Sequence, residues 1–290
     1  MNRFKILWLL GSVAIFVASG CKKVESDNIS STGRHEFNIL PTMPEAKTKV
    51  TETSFEINDK IGVYVAESGN RLQLVGNAIN NAEFIYNGNS WSAASKQFWN
   101  DGSYNVYAYY PYMEIVDDIN DCSFSVQVDQ SAKSGYQMSD FLWGTSSEVA
   151  ASSSPVEMQF SHKLSRVIVR LEKSETYEGE IPDNCEVYIH NTVVDALVDI
   201  ATGDAVKDPY GEVSSIKARK INSEEFDAIV IPQFIQTRTP MVEVLVDNVS
   251  YMMEGMLSFK PGCSVTLVVT LSKNPDQTKI EIGGGIGGWN

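Results

Sequence analysis

The strongest constraint on this chain is a period of two in its apolar residues. "KIGVYVA" from Lys60, "EFIYNG" from Glu83, "YNVYAYYPY" from Tyr104, "CSFSVQV" from Cys122 and "SRVIVRL" from Ser165 read as short strands, as do "CEVYIHN" from Cys185, "DAIVIP" from Asp227, "MVEVLVD" from Met241 and "SVTLVVTL" from Ser264. β-Branched and aromatic residues fill them, the types that suit a pleated, half-buried surface. Turn chemistry separates them: "ESGN" at Glu67, "NGNS" at Asn87, "NDGS" at Asn100, "ATGD" at Ala201, "KPGC" at Lys260. No long stretch keeps a helical period with caps at both ends; a short helix is expected near "NSEEF" at Asn222. Many short strands with frequent turns specify an all-β chain of sandwich type.

The N-terminus reads differently. From Ile6 to Gly20 fifteen residues carry no charge, after Arg3 and Lys5. A spanning helix needs roughly 20, so a charged start, apolar middle and small-residue end describe an export signal, residues 1–20. Ala18-Ser19-Gly20-Cys21 resembles the lipobox of bacterial lipoproteins, which implies cleavage before Cys21 and acylation (palmitate) of its sulfur. Two or more acyl chains hold a protein stably at a membrane. Residues 21–34 are polar and short of apolar groups, so they cannot offset their ordering entropy and read as a flexible tether. Glu25 and Asp27 faintly resemble surface-export signals; a solvated linker is the plainer reading.

Apolar residues make up 43% of the chain, enough for a real core, and the net charge is −14. Phosphate contacts need basic surface, which rules against a nucleic-acid partner. Cys122, Cys185 and Cys263 remain beside Cys21; three cannot all pair, and the alternating patterns around Cys122 and Cys263 suit buried thiols. A Ser-rich seam, "SSEVAASSSP" from Ser146, divides the chain into an N-terminal β-sandwich over residues 35–150 and a C-terminal one over 151–290. "KSETYEGEIP" from Lys173 is a competing seam.

Several ordered patterns resemble the fimbrillin family of fimbrial subunits: "FEINDKIGVYV" from Phe55, "NSWSAASKQFWNDGSYNVYAYYPY" from Asn89, and "DFLWGTSSEVAASSSPVEMQFSHKLSRVIVRL" from Asp140. "DIATGD" from Asp199 and the terminal "IEIGGGIGGWN" complete the set. The resemblance implies two tandem transthyretin-like β-sandwich domains on an outer-membrane lipoprotein. It further implies assembly into surface fimbriae, or pili, for cell adhesion. The partners implied are other fimbrial subunits joined head-to-tail by β-strand exchange, the outer membrane through the lipid on Cys21, and a host or bacterial surface receptor. In that scheme a protease removes the first strand, here "HEFNILPTM" from His35 to Met43, with Phe37, Ile39, Pro41 and Met43 pointing one way. Candidate processing residues are Arg34, Lys47 and Lys49. Many members carry an arginine before the "IGVY" strand, whereas here none lies between Arg34 and Arg71. Either another protease serves or the strand is kept, as suits a terminal or anchoring subunit. Stalk, tip and anchor roles stay open.

No catalytic constellation is visible. His35, His162 and His190 have no metal-ligand spacing, no serine stands in a G-x-S-x-G elbow, and "GGGIGG" lacks the lysine of a phosphate loop. The expectation is a non-enzyme without cofactor or metal. The sharpest local feature is an aromatic cluster holding Trp91, Trp99, Tyr107 and Tyr109. Tyr104, Val106, Ala108 and Tyr110 share one face of their strand, Tyr107 and Tyr109 the other. One reading makes these core and a packed interface. The other makes them an exposed platform for sugar rings or a partner, which would suit a surface glycan-binding lipoprotein of a nutrient-uptake system.

Overall fold

The computed structural model describes residues 33–43, 54–283 and 286–289, so Cys21, Lys47 and Lys49 lie outside the described residues. In chain order the strands are β1 (Arg34–Glu36), β2 (Ile39–Thr42), β3 (Lys60–Glu67), β4 (Ile79–Tyr86), β5 (Trp91–Ala93), β6 (Phe98–Asn100), β7 (Ser103–Tyr110) and β8 (Cys122–Ser125). A six-residue helix, α1 (Lys133–Met138), leads to β9 (Leu142–Ala150), β10 (Val156–Gln159), β11 (Ser161–His162) and β12 (Ser165–Lys173). There follow β13 (Glu186–Val193), β14 (Asp195–Val198), β15 (Ala205–Lys207), β16 (Val213–Lys217), β17 (Arg219–Lys220) and β18 (Glu225–Val230). The last are β19 (Phe234–Val246), β20 (Val249–Ser258), β21 (Cys263–Leu271), β22 (Lys279–Ile282) and β23 (Gly287–Gly288).

Each strand expected from the period of two is present. The helix expected at Asn222 is not: the Asn222 side chain accepts the Glu224 N–H at 2.9 Å, closing a turn, and Glu225 already opens β18. There Phe226 pairs with Lys220 and Val169 and is buried, so tertiary packing overrides local propensity.

Two sheets make a β-sandwich from the later strands. One runs β17-β18-β12-β21-β22, the other β16-β13-β19-β20, and their inward residues share one apolar cluster. β12 and β21 are parallel, with Val167, Val169 and Leu171 opposite Val265, Leu267 and Val269, all buried. The earlier strands form the sheet β11-β9-β7-β3-β4-β5. It is covered on both faces, which explains why Ile61 to Ala66 run without a polar interruption. Ile61, Val63, Val65, Val106 and Ala108 face one cluster; Tyr64 and Tyr109 face the other, with Phe124 and Phe141. The glycine of "IGVY" is a packing requirement: a Cβ on Gly62 would meet the Tyr109 ring at 2.4 Å.

The two clusters are tied together. β8 pairs with β14, Phe124 opposite Ala196, across 72 residues of sequence. Val156, Met158 and Phe160, beyond the Ser-rich seam, pack with the first cluster. Under the second lies a largely buried ionic group. Arg166 donates to Asp227 Oδ2 from Nε at 3.0 Å and Nη2 at 2.7 Å; Arg219 donates to Oδ1 from Nε and to Oδ2 from Nη2, both at 3.0 Å. Asp227 is fully buried and Arg166 nearly so. Removing one partner of such a group strands an uncompensated charge, at about 3–5 kcal/mol. Asp227→Ala is therefore expected to lower unfolding free energy by about that amount in urea titration, whereas Arg170→Ala, which breaks the exposed Arg170–Glu225 pair, costs under about 1 kcal/mol.

Candidate functional site: the seat of the first strand

The first strand is seated by its side chains more than by its ladders. β1 pairs antiparallel with β6 over three residue pairs, and β2 pairs parallel with β10 over four, Ile39 opposite Val156. Phe37 N–H donates to Gln97 O, Val156 N–H to Asn38 O and Phe160 N–H to Thr42 O, each at 2.9 Å. Neither ladder joins the six-stranded sheet. What enters the core is the expected face: Phe37, Ile39 and Pro41 are buried, Met43 packs at the edge of the cluster, and Leu40 points out. Phe37 stands edge-on to Phe84 at 5.8 Å and to Trp99 at 4.9 Å between ring centroids.

The tryptophans of the aromatic cluster therefore belong to this seat, and its tyrosines Tyr107 and Tyr109 do not. Trp99 is 2% exposed and donates its Nε1–H to Ser152 O at 2.9 Å. Trp91 is buried against Phe55, ring centroids 4.9 Å apart. On the opposite sheet face Tyr109 is fully buried, its hydroxyl donating to Asn81 Oδ1 at 2.7 Å, and Tyr107 is half-buried against the second cluster. The alternation along β7 sends these rings inward on both faces, so they form no open platform for a sugar. Among the candidate processing residues only Arg34 is described. It sits exposed on β1 with its guanidinium over the Phe98 ring at 4.4 Å, N-terminal to the seated residues. A cut after Arg34 thus leaves Phe37 and Ile39 in place.

Burial dominates the electrostatics. It pushes the Tyr64 hydroxyl up to about 12 and those of Tyr109 and Tyr110 further. The Tyr110 hydroxyl donates to Asp59 Oδ1 at 3.3 Å, and burial also raises Asp59. The thiols of Cys122 and Cys185, both unpaired and buried, are pushed up to about 11 for the same reason. Among the described residues no group of three or more His, Cys, Asp or Glu side chains could hold a metal ion. Among the strands missed from sequence, beside β9, β14, β16 and β20, is β10: Val156, Met158 and Phe160 alternate, but a serine run and a proline precede them and disguise the pattern.

Fold and seat together define an all-β sandwich protein whose N-terminal strand is an insert in an aromatic core. The family profile described as fimbrillin-like matches residues 48–289, and the chain belongs to that family. It is 26% identical over 200 residues to the "Putative fimbrium tip subunit Fim1C" of Bacteroides ovatus, covering 59% of this chain and 36% of that protein. The chain thus spans about a third of the length of that curated relative. The fold matches the crystal structure of a "putative cell adhesion protein" from Bacteroides ovatus, with TM-score 0.72, 19% identity and coverage of 89% of this chain and 99% of the other. A second, under the same description and from Bacteroides uniformis, matches with TM-score 0.67, 19% identity and coverage of 90% and 99%.

Truncating a buried Phe costs about 3–5 kcal/mol, so Phe37→Ala should lower the urea midpoint sharply, while Leu40→Ala stays within about 0.5 kcal/mol. A phenol whose folded-state pKa is raised favours folding fully below its unfolded value, about 10, and that stability is lost as pH climbs through and above it. For Tyr64, Tyr109 and Tyr110 this predicts unfolding above about pH 10, with phenolate absorbance and circular dichroism changing together.

Proposed function

We propose that the chain is a structural and adhesive subunit of a surface fimbrium, assembled by exchange of its first strand. The observation that carries this reading is the seat itself. Phe37 and Ile39 fill apolar pockets while the ladders that hold β1 and β2 are short. Once vacated, such a groove offers unpaired backbone groups and a row of pockets. An extended strand from a neighbour can satisfy both, ladder hydrogen bonds giving affinity and alternate side chains giving register. A contact of that kind is head-to-tail and builds a filament. Family membership and the name of the curated relative support the fimbrial assignment.

In this reading Cys21 carries the lipid that holds the precursor at the outer membrane, residues 21–34 are its tether, and release follows cleavage after Lys47 or Lys49. The role is structural, with other subunits and a surface receptor as partners. In this reading the two modules divide after β11, between His162 and Leu164, since β11 pairs with β9 in the first sheet and Leu164 packs in the second cluster.

Mass spectrometry of surface-assembled protein tests the scheme. Polymer chains beginning after Lys47 or Lys49, and SDS-resistant ladders lost in the Lys47→Gln/Lys49→Gln variant, are expected. Polymers whose chains still carry Arg34–Met43 would overturn strand exchange.

A further inference from the structure

The three histidines sit in different surroundings. His35 meets Asp101 at 2.9 Å at the surface, and His162 is buried with its ring stacked on Trp289 at 3.9 Å and Nδ1 on Asp140 at 2.9 Å. His190 lies on the outward face of the sheet β16-β13-β19-β20, between a hydroxyl and a carboxylate. Its Nδ1 is 2.7 Å from Ser215 Oγ on β16, and its Nε2 is 3.0 Å from Glu243 Oε2 on β19. Ser250 on β20 donates to the other oxygen, Glu243 Oε1, at 2.5 Å. One tautomer satisfies all three bonds: Nε2–H donates to Glu243, and the Ser215 hydroxyl donates to Nδ1. A hydroxyl held by an imidazole that a carboxylate orients from behind is the signature of an activated nucleophile.

The backbone is built around this contact. Pairing of β13 with β16 shifts between Ile189↔Ile216 and Thr192↔Ser214, so His190 and Asn191 both stand opposite Ser215. Such a bulge re-aims side chains and recurs beside active sites. Asn191 takes the left-handed φ of 56° there, and its side-chain amide donates to Pro240 O at 2.8 Å. The Tyr188 ring stacks on the imidazole, with centroids 6.1 Å apart and planes 13° apart. His190 and Glu243 are largely covered, while Ser215 is exposed. Beside Ser215 lies a shallow, largely polar pocket, lined by Asn191 and Ser214 together with Val213, Pro240 and Met252, with room for a short acyl group. An oxyanion donor is also at hand. Lys217 N–H points away from β13 to Val128 O at 2.7 Å. Residues two apart on a strand aim their N–H groups alike, so Ser215 N–H points off the same edge.

We propose that Ser215, His190 and Glu243 form a serine esterase site for short-chain acyl esters. Ser215 Oγ attacks the ester carbonyl carbon as its proton passes to His190 Nδ1, and the carbonyl electron pair moves to oxygen, facing Ser215 N–H. Collapse breaks the ester C–O bond; the departing alkoxide takes the proton from Nδ1 and leaves an acyl-Ser215. Water, deprotonated by Nδ1, then attacks the acyl carbon, releasing the carboxylic acid and returning the proton to Oγ. Glu243 touches no substrate and is a positioning residue that holds the tautomer.

The test uses the mature full-length protein with p-nitrophenyl acetate and, separately, a fluorophosphonate probe. Hydrolysis is expected to fall at least about tenfold in Ser215→Ala and in His190→Ala, below the ~10²–10⁴-fold that general-base catalysis supplies in evolved sites. Glu243→Gln should lower kcat and leave KM unchanged, since Glu243 touches no substrate and acts only through the imidazole it orients. The probe should appear on Ser215 by peptide mass spectrometry. Unchanged thermal midpoints in Ser215→Ala, an exposed site, assign the loss to chemistry. Wild-type hydrolysis equal to that of Ser215→Ala, or a probe found on another serine, overturns the proposal.

Discussion

A sheet that is apolar on both faces must be covered on both, and that requirement organises this protein. The central strand β3 runs from Ile61 to Ala66 with every residue buried. One face is covered by the sandwich of the later strands, through Tyr64, Tyr109, Phe124 and Phe141. The other is covered by far less chain: the first strand, β10 and the short aromatic elements around Trp91 and Trp99. Burying a Phe or Ile side chain contributes about 1.5–3 kcal/mol, so Phe37 and Ile39 supply much of what keeps that second face dry. The short ladders contribute direction more than strength.

This asymmetry separates two kinds of attachment within one fold. Where the halves meet, contacts are continuous and long-range: β8 is paired to β14, and Arg166 and Arg219 converge on Asp227 beneath the Tyr136 ring, which lies 3.6 Å from the Arg219 guanidinium. A buried ionic group with every oxygen engaged tolerates little displacement. The first strand, by contrast, enters through side chains that any chain with the same alternation could supply. Replacement there would alter which polypeptide fills the pockets and would leave the ionic group and the sandwich as they are.

Strand positions were legible because inward and outward residues alternate: Val265, Leu267, Val269 and Leu271 face in, Thr266 and Thr270 do not. The facing of Tyr104, Val106, Ala108 and Tyr110 against Tyr107 and Tyr109 was legible for the same reason. Helix α1 was not, since six residues with no side-chain cap carry almost no periodic signal. Nor was the destination of the tryptophans. Sequence places Trp99 in an aromatic cluster, but only the β1–β6 register, His35 opposite Trp99, puts its ring against Phe37.

The polar trio on the outward sheet face marks the same boundary more sharply. His190 and Ser215 are 25 residues apart, and His190 and Glu243 are 53. No motif spans such separations, because their meeting depends on strand order: β13 lies between β16 and β19. A one-residue change in either register would turn Ser215 or Glu243 to the other face of the sheet. Alternation keeps Ile189 in the core with His190 outward, and the bulge sets both His190 and Asn191 opposite Ser215. Chemistry of this kind is written in pairing, which alternation along a single strand does not encode.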